Sequence, residues 1–494
     1  MNRAAISSIS HDDVLTLLRQ GAGLASHSGK VQAGDVFVAL PSLRGSVDGA
    51  AFAAQVAAAG AVCLVAAQDA RLPDDLPIPV LRTADPRAML GELAGVRFGT
   101  QRLGFPLIGI TGTNGKTSIC AMLEHLFQAA GKAVGVLGTV SYRWPGVDRA
   151  ASLTTPGCLE LHGMLREMQD AGVEIAFMEV ASHALDQQRV AGLAFDGAAL
   201  TNITQDHLDY HADMEDYART KFRLFLHTPR QDKPVALNAD DAYGARLLTR
   251  LPQSVGFGLH PLVELPEDRL LQGRILEHSI SGLTLECAFR GQRWILRSPM
   301  VGAHNASNLL AAMAMALQCG LSVDDLQALE SFAGVCGRLE RVPNARGRHV
   351  FVDYAHTPDA LENVLKALDM LRRGRLLVVF GCGGNRDRGK RPLMGRAVCR
   401  YADVAVLTSD NPRREDPDAI MDDVMPGLAH CKRILRLADR REAIAAALES
   451  MDEADICIIA GKGHEDYQII GDTKFPFSDQ QVVRDVLGSV PPCA

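Results

Sequence analysis

Leu107-Ile-Gly-Ile-Thr-Gly112-Thr-Asn-Gly115-Lys116-Thr117-Ser118 is the stretch that decides the fold of this chain. Leu107 to Ile110, set off by Pro106, predicts a strand. Gly112 and Gly115 let the backbone curl and turn successive N–H groups toward phosphate oxygens. Lys116 adds a point charge for the phosphates, and Thr117 a hydroxyl suited to a hard cation. The strict phosphate-loop pattern needs glycine at position 110, where Ile110 stands, so the match is partial. A helix follows, because Ile119, Met122, Leu123, Leu126 and Phe127 recur at helical spacing. Its amino-terminal end would face the phosphate. An ordinary glycine-rich turn is the competing reading, and the ordered succession of strand, loop, Lys-Thr and amphipathic helix argues against it.

Outward from this loop, the 494 residues predict three domains at about 150 residues each. Short apolar runs ending in Gly or Asp alternate with helical patterns, the mark of α/β architecture. We divide the chain at residues 1–97, 98–336 and 337–494. In the third part, strands are predicted at His349 to Val352, Leu376 to Phe380, Val404 to Thr408 and Ile456 to Ala460. Each runs into a polar or glycine-rich loop, and ligands of open parallel sheets bind at such strand ends.

Hydrophobic residues make up 47% of the chain, enough for several cores, and the net charge of −7 argues against a general nucleic-acid binder. The eleven cysteines are scattered without a CxxC pair, as expected of thiols in a reducing compartment. Met1 to Asp12 lacks the apolar segment of a signal peptide, and the longest apolar run, Leu309 to Leu317, has nine residues where a membrane span needs about 20. A soluble cytoplasmic protein is expected.

Other segments carry chemistry less securely. Glu179 ends the apolar run from Ile175, where a carboxylate can hold Mg²⁺ or simply face solvent. Asp206, His207, Asp209 and His211 lie close together, but their spacing fits no common zinc pattern and no Cys is near. Asn305 and Asn308 precede the apolar run from Leu309, where a helix cap is the plain reading. Arg338 stands where the third part begins, and Asp353 follows a predicted strand as a turn former would. The loop Gly381 to Arg391 carries Arg386, Arg388, Lys390 and Arg391, four cations on a flexible backbone that suits an anion. Asp410-Asn411-Pro412-Arg413 and Gly461-Lys-Gly-His-Glu465 bring both signs of charge to strand ends, an arrangement suited to a zwitterion.

Together these motifs resemble the Mur ligases and their folylpolyglutamate synthetase relatives, across nearly the whole chain. The shared features are Gly112-Thr-Asn-Gly-Lys-Thr117, Met178-Glu-Val-Ala-Ser-His183, Asn202 to His211, Lys221-Phe-Arg-Leu-Phe225, and the Asp410 to Arg413 loop. The resemblance implies a central P-loop ATPase-like parallel sheet between a smaller α/β amino-terminal domain and a Rossmann-like carboxy-terminal domain. It implies an ATP-dependent ligase that adds meso-diaminopimelate to UDP-N-acetylmuramoyl-L-alanyl-D-glutamate, a peptidoglycan precursor.

By the same resemblance, Gly112, Thr113, Asn114, Gly115, Lys116, Thr117, Ser118, Asn308, Arg338, Asp353, Tyr354 and His356 surround ATP. Thr117, Glu179, His207 and Lys221, the last as a carbamate, help hold Mg²⁺, with Lys116, Lys221 and His207 catalytic. Ser28, Thr154, Thr155, Gln187 and Arg189 take the UDP-muramoyl substrate; Arg386, Asp410, Asn411, Pro412, Arg413, Gly461 and Glu465 take diaminopimelate. Two departures stand out: Ala181 where many relatives have Ser, and His27-Ser28-Gly29 where Asp-Ser-Arg is usual. The expected partners are these small molecules, with no nucleic acid, no membrane insertion and a monomeric chain.

Overall fold

The computed structural model describes residues 7–43, 47–226 and 233–489. By contacts the chain divides into two compact units: the chain up to Leu271 with Leu310–Leu326, and Gln272–Leu309 with the chain from Gln327.

The first unit opens with a small parallel sheet of β1 (Leu24–Ala25), β2 (Val36–Val38), β3 (Cys63–Ala67) and β4 (Val80–Thr83), in that order. Successive side chains of a strand point to opposite faces. Val36, Val38, Cys63 and Val65 accordingly pack with Leu18, Leu90 and Leu93, while Phe37, Leu64 and Ala66 pack with Ala53 and Val56. The helix Pro86–Phe98 has sharp ends for local reasons. The Asp85 carboxylate accepts from Arg87 N and Ala88 N, Pro86 fills the first turn, and Gly99 closes it at φ 69°.

A larger sheet in the same unit holds β5 (Leu107–Thr111), β6 (Val134–Leu137), β7 (Ser141–Trp144), β8 (Val147–Ala150), β9 (Ile175–Glu179), β10 (Gly197–Leu200), β11 (Val235–Asn238) and β12 (Val255–Gly258). Their order is β12-β11-β10-β5-β9-β6-β7-β8, parallel from β12 to β6 and antiparallel beyond. Every residue of β5 and β9 is buried, as expected where both faces of a parallel sheet are covered. The helix Lys116–Ala129 buries its apolar stripe, with the Phe127 ring 5.3 Å from that of Phe177. Residues at the carboxyl ends of β5, β9 and β10 are therefore neighbours.

The second unit contains an antiparallel meander of β13 (Leu270–Ser279), β14 (Gly282–Phe289) and β15 (Gln292–Ser298). Its main sheet holds β16 (Glu340–Arg341), β17 (His349–Asp353), β18 (Leu376–Phe380), β19 (Val404–Leu407), β20 (Ile434–Arg436) and β21 (Ile456–Ala460). The order is β16-β17-β21-β18-β19-β20, parallel except at β16. The four strands expected in this part are all present, and their ends carry Asp353, Gly381, the Thr408 to Arg413 segment and Gly461. A hairpin of β22 (Tyr467–Ile470) and β23 (Thr473–Pro476) follows.

Candidate active site

The phosphate loop adopts the expected strand–loop–helix form. Gly112 has φ 144°, and a Cβ there would lie 1.9 Å from Thr201 Oγ1, so only glycine fits beside β10. The loop is stitched to the end of β10: Thr113 N donates to Asn202 O at 2.8 Å, and Asn114 N to Asn202 Oδ1 at 3.0 Å. Lys116 Nζ donates to the carbonyls of Gly112 and Thr113 at 2.9 and 2.8 Å. Ser118 is buried in the first turn of the helix.

Glu179 is 1% exposed, so the reading of a surface residue at a strand end does not apply. Its Oε2 accepts from Thr117 Oγ1 at 3.1 Å and Thr139 Oγ1 at 3.0 Å, and its Oε1 from Thr139 N at 2.8 Å. This joins the hydroxyl and the carboxylate that the family resemblance assigns to one cation. Among the described residues no group of three or more His, Cys, Asp or Glu side chains gathers as a metal site. The oxygen donors here are hydroxyls and one carboxylate. Such a set fits Mg²⁺, which keeps waters and phosphate oxygens as ligands rather than needing a full protein cage.

Lys221 is 1% exposed, and its Nζ donates to the same Gly112 carbonyl at 2.8 Å. Burial, and then the nearby Lys116 charge, hold its pKa well below the usual lysine range. No carboxylate lies within ion-pair distance of it among the described residues. Its amine sits 4.5 Å from the Tyr217 ring centroid, and Tyr217 packs 6.1 Å from the His207 ring. His207 has φ 53°, its N–H donating to Asp206 Oδ1 at 2.9 Å. A left-handed non-glycine residue of this kind is often kept at functional sites.

Four of the five residues assigned to the UDP-muramoyl substrate meet around β9. Thr154 Oγ1 is 3.1 Å from Thr139 Oγ1; Arg189 Nη1 donates to Thr155 O at 3.0 Å and Nη2 to Gln187 Oε1 at 2.7 Å. The Thr155 hydroxyl is consumed as a strut, donating to Glu179 O and accepting from Ala181 N. Ala181 caps the helix Ser182–Asp186 without a side-chain hydrogen bond, which a serine there could supply. Ser28 makes no hydrogen bond to these four among the described residues; it sits in a short 3₁₀ turn that His27 Nδ1 caps by accepting from Gly29 N at 3.1 Å.

In the second unit, Asn305 and Asn308 are not caps: the helix Ala303–Gln318 begins before either. Asn305 Nδ2 donates to Val301 O, and Asn308 Nδ2 to Asn305 Oδ1, because both side chains are buried in the opening turns and need partners. Asp353 is more than a turn former. It is buried and accepts from Leu339 N at 2.6 Å and Ala355 N at 2.7 Å, and burial raises its pKa. Arg338 lies over the Tyr354 ring at 4.9 Å, and Tyr354 lies 4.6 Å from the His356 ring.

The basic loop corrects the expectation of four cations awaiting an anion. Arg391 is fully buried against Glu415 and Asp423, and Arg388 also pairs with Asp423. Lys390 Nζ donates to His356 O at 2.8 Å. Arg386 and Arg413 are different. Neither has an acidic partner among the described residues, and they meet over Gly383, whose Cβ would lie 3.1 Å from Arg413 Nη1 and 3.6 Å from Arg386 Cγ. Arg413 sits at φ 51°, pinned by Arg413 N to Ile469 O at 3.0 Å and by Gly471 N to Arg413 O at 2.7 Å. Asn411 Nδ2 donates to Glu465 Oε2 at 2.8 Å, and a Cβ on Gly461 would lie 2.5 Å from Asp410 Oδ2. Pro412 lends its carbonyl to the close approach of Gly384, where a Cβ would lie only 1.9 Å away.

Sequence reasoning gave no role to Thr139, Asn202, Tyr217 or Lys462. Thr139 closely follows β6, so the strand-end rule points to it. Nothing local marks Lys462 as buried.

Residues 110–316 match the Mur ligase middle domain, and residues 337–463 the Mur ligase glutamate ligase domain. A relative from Lawsonia intracellularis, named UDP-N-acetylmuramoyl-L-alanyl-D-glutamate--2,6-diaminopimelate ligase, is 50% identical over 461 residues, 93% of this chain and 95% of its own. The chain belongs to the Mur ligase family. A solved structure of a Mur ligase with that same name aligns at a TM-score of 0.68 and 33% identity, covering 94% of both chains. A Mur ligase from Thermotoga maritima solved in complex with ADP, 19% identical, shares the fold at a TM-score of 0.58 over 90% of this chain and 94% of its own.

Proposed function

We propose that this chain is an ATP-dependent amide ligase that joins meso-diaminopimelate to UDP-N-acetylmuramoyl-L-alanyl-D-glutamate in peptidoglycan precursor synthesis. The observation that carries the amino-acid assignment is that Arg386 and Arg413, without acidic partners among the described residues, both approach Gly383, next to the Asp410 and Glu465 loops. Diaminopimelate differs from lysine by a carboxylate at its far end. A guanidinium fork suits that carboxylate, and Asp410 or Glu465 suits an ammonium.

In this reading Lys116 and the N–H groups of the loop neutralise the ATP phosphates. Thr117, Glu179, His207 and Lys221 as a carbamate would hold Mg²⁺, which adds charge neutralisation at the phosphates when bound. The D-glutamate carboxylate attacks the γ-phosphorus, ADP departs, and an acyl phosphate forms. The diaminopimelate amine attacks its carbonyl carbon and phosphate leaves. Lys221 fits carbamoylation because burial lowers its pKa and so favours the neutral amine, the form that adds CO₂ and loses one proton. Arg338, Asp353, His356 and Asn308 are taken as nucleotide contacts, and Ser28, Thr154, Thr155, Gln187 and Arg189 as UDP-muramoyl contacts. The reading keeps the division at 1–97, 98–336 and 337–494 for UDP-muramoyl, ATP and amino acid. It takes the chain as a cytoplasmic monomer; no helix among the described residues is long and apolar enough to cross a membrane.

Phosphate release measured with ATP, the UDP-muramoyl dipeptide and a panel of amino acids tests this. The expected result is release that depends on all three substrates, with diaminopimelate far ahead of lysine. Preference for lysine would refute the amino-acid assignment, and release with a folate substrate in place of the dipeptide would refute the whole reading.

A further inference from the structure

Lys462 is fully buried, yet its ammonium reaches only groups of the amino-acid loops. Its Nζ donates to Asn411 Oδ1 at 3.1 Å and to Glu465 Oε2 at 3.3 Å, and lies 5.8 Å from the Tyr467 ring centroid. The glycines on either side have φ 115° and 55°, a double bend that carries this one side chain inward. Ile469 N also donates to Asn411 Oδ1, at 2.9 Å. An ammonium and a backbone N–H are donors only, so the atom facing both must be the amide oxygen. The Asn411 NH₂ is thereby turned to Glu465 Oε2, at 2.8 Å. Glu465 thus has Oε2 tied from behind, while Oε1 has no protein donor among the described residues.

We propose that Lys462 is a positioning residue that sets the amino-acid specificity loops: its buried charge fixes the Asn411 amide and holds Glu465 with one oxygen presented to the substrate's ammonium. The proposal rests on the reading of these loops as an amino-acid pocket. Burying an ammonium is costly, and a paired one is weak support for stability, so its fit here lies in orientation. Without it the Asn411 amide keeps only the Ile469 N–H as a donor to its oxygen, and Glu465 loses one of its two anchors.

The test is steady-state phosphate release by the full chain, with meso-diaminopimelate and ATP varied in turn, for wild type, Lys462→Met and Lys462→Arg. Lys462→Met should raise KM for diaminopimelate by about tenfold or more, with KM for ATP and kcat changed by less than about threefold. Lys462→Arg keeps the charge and should recover part of the loss. An unchanged KM for diaminopimelate in a folded Lys462→Met protein overturns the proposal, as does an equal loss in KM for ATP. If Lys462→Met shows no cooperative thermal unfolding, Lys462→Gln replaces it. KM must then rise in the order wild type, Arg, Gln, and three equal values overturn the proposal. Wild type that releases no phosphate with any amino acid refutes the pocket itself, a result distinct from an active wild type and an indifferent variant.

Discussion

The end of β5 in the first unit and the end of β21 in the second both gather cations beside glycine-rich loops, but they treat charge differently. Beside β5, the Nζ atoms of Lys116 and Lys221 share one carbonyl oxygen, that of Gly112. His183, His207 and His211 stand close by, their rings 4.7 to 6.0 Å from that of His183. The neighbouring carboxylate, Glu179, is engaged by Thr117 and Thr139. Around β21 the buried cations are matched: Lys462 with Glu465, Arg440 with Asp479, Arg391 with Glu415 and Asp423. The first arrangement sets the Lys116 charge beside the glycine-rich loop and suits a polyanion. The second pairs its buried cations with carboxylates and leaves Arg386 and Arg413, like Lys390, without an acidic partner among the described residues, which suits a zwitterion with one extra carboxylate.

The comparison breaks most visibly at Lys116. Lys116→Ala should lower kcat by about 10²–10³ or more, the cost of deleting a preorganised charge from a phosphoryl-transfer site. Circular dichroism should show the fold intact, because the helix Lys116–Ala129 is held by its buried apolar stripe. Near-normal turnover in a folded variant would remove the phosphate-loop assignment. Lys221→Ala should fall almost as far, and added bicarbonate should not restore it. Intact-mass measurement of the native chain at mild pH should detect the carbamate, and normal turnover of Lys221→Ala would rule it out.

Arg413→Ala probes the other end of the comparison. A guanidinium left without its carboxylate partner disfavours lysine, and polar mismatches of this kind reach about 10⁴ in kcat/KM. Wild type should scarcely use lysine. The variant should lose most activity with diaminopimelate and little with lysine, so the ratio collapses. Arg413→Lys should rescue only partly, lacking the two-pronged contact. The measurement is kcat/KM for both amino acids in the three proteins, and a ratio retained in Arg413→Ala moves the specificity elsewhere.

What could be read from sequence depended on how far apart partners lie along the chain. β5, its loop and its helix are contiguous, and β17, β18, β19 and β21 are short apolar runs ending in punctuation, so all were legible. The meander was not: β14 alternates, with Leu283, Leu285, Cys287 and Phe289 buried, but the Arg290-Gly291 turn, at φ 48° and 77°, carries none of the usual Asn-Gly chemistry. The four cations of the Arg386 loop looked alike because Glu415 and Asp423, which neutralise two of them, lie 24 and 32 residues from Arg391. Lys462 carried no local signal for the same reason, since its partner Asn411 is 51 residues away.

The smallest effect expected lies in the acid stability of the first region. Burial, and then the charges of His207, His211 and Arg189, push the His183 pKa down to about 4 from an ordinary 6.5; Asp209 acts weakly the other way, and Tyr210 packs on the ring at 4.0 Å. Below pH 6.5 the unfolded chain takes up a proton at this position that the folded chain refuses until about pH 4. Unfolding therefore binds a proton in that window, and stability falls as pH drops through it. His183→Gln removes the group from both states. Its Tm should decline less steeply than that of wild type between pH 6.5 and 4.5, by only about 1–3 °C because the residue is partly exposed and solvent screens it. Thermal unfolding of both proteins across that range, with and without ADP, reads this directly. ADP, an anion bound beside these rings in this reading, should favour protonated His183 in the folded chain and narrow the gap between the two proteins at low pH. Parallel declines in the two proteins would mean that the histidines are not crowded enough for their charge to matter.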